Sequence, residues 1–295
     1  MADALGAGSI YDLGYRHYDG VRLGRRHAIW ALYVHSLRNV FGVGRSFWAK
    51  AAAFGILAIA LIPAVVQLGV ATISPQDVNV VAPEEYYGII EPLLAVFCAV
   101  IAPELVGRDQ RTQTLPLYFS RALQRDDYAI AKYFALVTGM LTITVAPQLL
   151  MFTGNASAAD NTLDYLQDNW QDLPAILASA ALLSGLVAGV GLAIASQTPR
   201  RAYSTVGILA AFLLVSAVVA SVFEAADRGT GRVIVLLSPF HLARGTTFWL
   251  FDAHFEPGSQ FARADLPGGV YCLALLFFTL VMIVILLRRY RGLQA

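Results

Sequence analysis

The sequence predicts an all-α integral membrane protein with six transmembrane helices, and three observations lead there. The 295 residues are 57% hydrophobic and 14% charged, with a mean hydropathy of +0.61, against roughly 45–50% and about 25% in soluble domains. Apolar runs of about 20 residues recur, each long enough to cross a hydrocarbon core of roughly 30 Å. Basic residues gather in alternate connections between those runs, which is the asymmetry that orients membrane helices. Around the spans the sequence predicts an N-terminal amphipathic interfacial helix and a cytosolic docking helix between spans 2 and 3. Short re-entrant helices are expected between spans 5 and 6.

Residues 1–50 form a cytosolic N-terminal segment. Its first 22 residues are rich in Gly and Tyr and lack the apolar core of a cleavable signal peptide. From Leu23 to Phe41, Ile29, Leu32, Tyr33, Leu37, Val40 and Phe41 recur at helical spacing, with His27, His35 and Arg38 opposite. Arg25 and Arg26 lead into it, and Trp30 and Trp48 stand near its boundaries. A basic amphipathic helix with such aromatics suits the membrane interface. A helix packed in a small soluble domain is the other reading of the same pattern.

Residues 51–295 form the six-helix domain, with spans over about 51–70, 87–106, 128–152, 174–196, 205–223 and 269–287. Pro63 is tolerable in the first because neighbouring helices can satisfy a freed carbonyl. In the fourth, Gly185, Gly189 and Gly191 offer a small-residue face for close packing. Cys98 and Cys272 both fall in apolar runs and are expected to be buried free thiols. The segment 224–268 holds an apolar stretch broken by Ser238-Pro239 and Arg244-Gly245. Two short helices dipping into the outer leaflet fit it, as does a folded outer loop packed on the helix ends.

Orientation follows from charge. Arg16, Arg22, Arg25, Arg26, Arg38, Arg45 and Lys50 precede the first span, and Arg108, Arg111, Arg121, Arg125 and Lys132 lie between the second and third. Arg200 and Arg201 follow the fourth; Arg288, Arg289 and Arg291 close the sixth. Only Arg228, Arg232, Arg244 and Arg263 fall on the other side. Both termini are therefore expected in the cytosol.

The stretch from Ile101 to Lys132 carries too much positive charge to cross a bilayer and too regular a pattern for a bare linker. It reads as a cytosolic docking element joining two membrane helices to a partner. The sequence has no G-x-x-x-x-G-K-[ST] loop, no H-E-x-x-H and no Cys/His cluster of metal-ligand spacing. ATP hydrolysis by that route, a metal site and catalysis are therefore not expected in this chain, and nothing points to nucleic acid. Glu91, in the outward half of span two, is costly in a bilayer at roughly 2.5–3.5 kcal/mol. It either lines a substrate path or caps the helix at interface level near Tyr86 and Tyr87. Glu104, at the cytosolic end of the same span, is expected to pair with a nearby Arg.

Span two ending in Glu104, then Gly107, Leu115, Leu117, Ser120-Arg121, and Arg125, Tyr128 and Lys132 opening span three, resembles the ABC-2 type permeases. These are the membrane subunits of ABC exporters. The family's usual Gly-Thr and the Pro after Ser-Arg are replaced here by Gln113-Thr114 and Ala122. The N-terminal segment also looks like one found in actinobacterial members. The resemblance covers essentially the whole chain and implies a multi-pass protein of a prokaryotic plasma membrane. It implies that residues 108–119 form a coupling helix, with Arg108, Arg111, Leu115, Leu117, Tyr118 and Arg121 meeting a separate ATP-binding subunit. The helix bearing Arg25, Arg26 and Arg38 would be the elbow helix, and Glu104, Arg125 and Lys132 would serve coupling or structure. ATP and Mg would be held by the partner, with no cofactor in this chain. A second permease copy, identical or not, would pair mainly through spans one, two and five. The expected cargo is an amphipathic or hydrophobic small molecule such as a drug or antibiotic. Lipid or glycan translocation in the same family, a secondary transporter and a membrane scaffold without an ATPase are the alternatives.

Overall fold

A computed structural model describes residues 23–44, 47–73, 81–120, 123–159, 161–226 and 228–292. Arg16, Arg22, Arg45 and Arg121 lie outside the described residues. Within them the protein is helical, and six helices are long and apolar enough to cross a membrane. Helix α1 (Gly24–Val40) is followed by α2 (Phe47–Ile73) and α3 (Pro83–Arg111). The short α4 (Leu115–Phe119) leads to α5 (Arg125–Ala158), α6 (Thr162–Asp168) and α7 (Asp172–Gln197). Then come α8 (Arg201–Ala225), α9 (Arg228–Val235), α10 (Pro239–Leu250), α11 (Gln260–Ala264) and α12 (Gly268–Arg291). The six long helices are α2, α3, α5, α7, α8 and α12, in the expected order.

Helix α7 is the axis of the bundle: 78% of its apolar window is buried, against 17% for α12. The outer helices α2, α8 and α12 leave Ile62, Val65, Val218, Leu273, Phe277 and others bare. Such a surface suits lipid and not water. The glycines of α7 do not form one small-residue face. Gly185 meets Tyr133 of α5, Gly189 meets Met282 of α12, and Gly191 meets Cys98 of α3, so each opens a contact with a different helix. The closest is at Gly191, where a Cβ would stand 2.0 Å from Cys98 Sγ. Replacing Gly191 with Ala is expected to destabilise the fold by about 1–3 kcal/mol through overpacking. Cys98→Ala in the same chain should recover most of that, and thermal unfolding of the two variants checks it. Cys98 is buried as expected, whereas Cys272 is only partly covered.

Two wide turns interrupt the spans, at Pro103–Gly107 in α3 and Ala210–Leu214 in α8. The first has a local cause. Pro103 has no N–H to give the carbonyl of Ala99, and Thr205 Oγ1 of α8 donates to that oxygen at 2.9 Å. Side-chain rescue of a proline-freed carbonyl is how membrane helices keep such residues. Between α8 and α12 the apolar stretch is two helices, α9 and α10, bent at 94°. Ser238 caps α10 by accepting from His241 N and shares a 2.8 Å hydrogen bond with Ser216 of α8.

Candidate docking site at the basic end of the bundle

Helix α1 buries Leu32, Ser36 and Val40, with Ile29 and Tyr33 packed beside them. His27, His35 and Arg38 are exposed, as the periodicity requires. Its contacts step along α5: Arg25 binds Asp127 at 2.8 Å, Tyr33 Oη shares a hydrogen bond with Thr138, and Val40 fits against Gly139. From Asp127 to Gly139 is about 18 Å of helix, so α1 leans across the first turns of α5 and does not merely cap its tip. It ends at Gly42, whose φ of 66° lets Val43 N donate to Arg38 O at 2.8 Å. Arg26 is exposed beside Arg25. Hydrogen bonding to Asp127 holds the Arg25 guanidinium above its usual range.

The expected single coupling helix is two pieces. Arg108–Arg111 continues α3, then the chain turns at Thr112–Thr114, with Gln113 at φ 51°, and restarts as α4. Both leucines lie on this second piece. In a helix, residues two apart are about 200° apart around the axis, so they cannot share one face. Leu115 is 9% exposed and packed in this chain's own core, whereas Leu117 is 67% exposed. Leu117, with exposed Arg108 and Arg111, is what this end presents outward. Tyr118 is half-buried, its ring 5.7 Å from that of Tyr128, and burial raises its hydroxyl above the usual range.

A groove of about 610 Å³ runs between α1 and α4. Ala28, Ala31 and Leu32 line one wall, and Leu117, Tyr118 and Leu123 the other, with His27 and His35 at its edge.

Below this surface a closed set of bonds joins the helix ends. Glu104 accepts from Arg201 of α8 at 2.9 Å and lies 4.0 Å from Arg111. Lys132, 2% exposed, pairs with Asp109 at 2.9 Å, and Tyr128 Oη donates to the same carboxylate at 2.7 Å. Gln110 Nε2 and Arg289 Nε both donate to Ser196 O, at 3.0 and 3.1 Å. Arg291 Nε donates to Asp126 at 2.8 Å, and Arg125 returns a bond to Arg291 O at 2.9 Å. Asp127 also accepts from Gln124 N, closing a capping box on α5. Glu104, Arg125 and Lys132 thus hold this chain's own helices together. Asp109 and Gln110, which the sequence reading did not single out, are the hubs of the arrangement.

Glu91 lies towards the other end of α3, 8% exposed, with Oε1 lacking a hydrogen-bond partner among the described residues. A second cavity opens at that end, lined on α3 by Glu85, Gly88 and Ile89 but not by Glu91. No model of a known protein family and no curated protein matches this chain.

Proposed function

We propose that the chain is the permease subunit of an ATP-driven ABC exporter of the ABC-2 type, moving an amphipathic or hydrophobic small molecule out of the cytosol. The observation that carries this reading is the exposed Leu117 on a short helix. It borders an apolar groove against α1, at the same end of the bundle as the exposed Arg108 and Arg111. An apolar side chain with basic neighbours fits an apolar pocket with an acidic rim on another protein. In this reading the basic end faces the cytosol of a prokaryotic cell, and the ATP-binding subunit docks there, holding ATP and Mg. The bare apolar faces of α2 and α8 supply the surface for a second permease copy, with lipid covering the remainder. Closure of the ATPases on ATP would tilt the permease helices and open the path outward.

The experiment is purification of the tagged chain from its native membrane with identification of what stays bound. A stoichiometric subunit carrying a phosphate-binding loop, with ATP hydrolysis in the complex, is the expected result. A chain that purifies alone and folded would overturn it. If Glu91 lines the path, Glu91→Gln will change the transport rate in reconstituted vesicles. An unchanged rate would leave it a structural role only.

A further inference from the structure

At the end of the bundle opposite the basic cluster, a cavity of about 620 Å³ lies between the start of α3, α10 and α11. Of the cations described there, Arg232 pairs with Asp265 and Arg263 with Glu224. Arg244 is different: among the described residues it makes no hydrogen bond and no ion pair. Its guanidinium stands 6.0 Å from the ring centroids of both Phe248 and Phe261. Those rings belong to one slab, because Phe255 stacks on Phe248 at 4.6 Å and on Phe261 at 4.8 Å.

An arginine is always charged and carries five N–H donors in a planar fork. Aromatic faces attract the charge of the fork but give its N–H groups no lone pairs. Arg244 is exposed, so its donors stand beside the aromatic slab with no partner among the described residues and are open to an anion. The opposite wall is Gly88, where a Cβ would come 3.4 Å from the guanidinium carbon, so any larger side chain there takes up the cavity. Glu91 sits one turn inward of Gly88 on the same side of α3, buried, and forms no ion pair with Arg244. At the rim, exposed Glu85 and Glu256 repel a second negative charge on any occupant.

We infer that this cavity binds an amphiphile carrying one anionic group, a carboxylate or phosphate, with the anion on Arg244 and the apolar body against Phe248, Phe255 and Phe261. Such a molecule is either a membrane lipid or a water-soluble amphiphile. The site does not depend on the chain being an exporter.

The test uses the full chain in phosphatidylcholine nanodiscs, with dodecanoate carrying a diazirine in its chain as photoprobe and the matching dodecanol as control. Labelled peptides are mapped by mass spectrometry. Losing a charge-assisted hydrogen bond weakens binding about tenfold or more. The acid is therefore expected to label the peptides around Gly88 and Phe248–Phe261 about tenfold more than the alcohol. Arg244→Gln is expected to abolish that difference, and Gly88→Leu to do so by filling the cavity against the guanidinium while keeping the arginine's charge in the chain. Equal labelling by acid and alcohol, or unchanged labelling in a folded Gly88→Leu chain, overturns the site. If phosphatidylglycerol added to the nanodisc suppresses labelling, the occupant is a lipid. If labelling resists it but yields to octyl phosphate, the occupant is the soluble amphiphile.

Discussion

Replacing Leu117 with Asp is expected to release the proposed ATP-binding subunit while the chain itself stays folded in the membrane. The side chain is 67% exposed and touches little of its own chain, so the substitution costs the fold almost nothing. In a partner's pocket the same change removes an apolar anchor and buries a charge, worth at least about 2 kcal/mol, or roughly a thirtyfold loss of affinity. Leu115→Asp serves as the contrast. That residue is enclosed by its own protein, and an unpaired carboxylate there is expected to lower the yield of folded chain before docking is tested at all. Co-purification with each variant, normalised to the chain recovered, separates the two effects. Undiminished binding by the Leu117 variant would remove α4 from the interface.

Replacing Lys132 with Met is expected to destabilise the bundle by about 3 kcal/mol, because it leaves the half-buried Asp109 carboxylate beside an apolar group. Among the described residues Asp109 then keeps only the Tyr128 hydroxyl as a side-chain donor. The second change matters more than the first: Lys132→Met with Asp109→Leu is expected to regain most of the loss, since an apolar pair of similar volume often replaces a buried ion pair at little cost. Unfolding of the wild type, both single variants and the double variant forms a cycle whose coupling term reports the pair. A Lys132→Met chain as stable as the wild type would show that the ion pair does not support the fold.

The contrast between these two sites explains what could be read from the sequence. The six long helices follow from apolar length alone, and the buried side of α1 follows from Leu32 and Val40 recurring at helical spacing. Both are local properties. The pairing of Lys132 with Asp109 is not, since it joins the end of one span to the third turn of the next. A usable signal was nevertheless present. The short connection over 112–124 forces α3 and α5 to be antiparallel neighbours, which brings any charges at those positions side by side. Arg25 with Asp127 offered no such signal, being 102 residues apart. The separate duties of Leu115 and Leu117 were legible in their two-residue spacing, which puts them on opposite sides of any helix; the break at Gln113, whose left-handed backbone no residue pattern announced, was not. Likewise, Gly185, Gly189 and Gly191 looked like one face until three different neighbours were seen to use them.

The bonds at the basic end close on themselves: α3 to α5 through Asp109 and Lys132, α5 to α12 through Asp126 and Arg291, α12 to α7 and α7 back to α3 through Ser196. Glu104 adds α8, and Arg25 adds α1. Mechanically this is a collar. Five spans are clasped at one rim, and a load applied there is shared among them all, as a pull on one finger is felt across the palm. While the collar holds, any opening of the bundle has to come from its other end, where Tyr87 bonds Ile176 and Gln148 bonds Pro83 and where Arg244 and its aromatic slab stand.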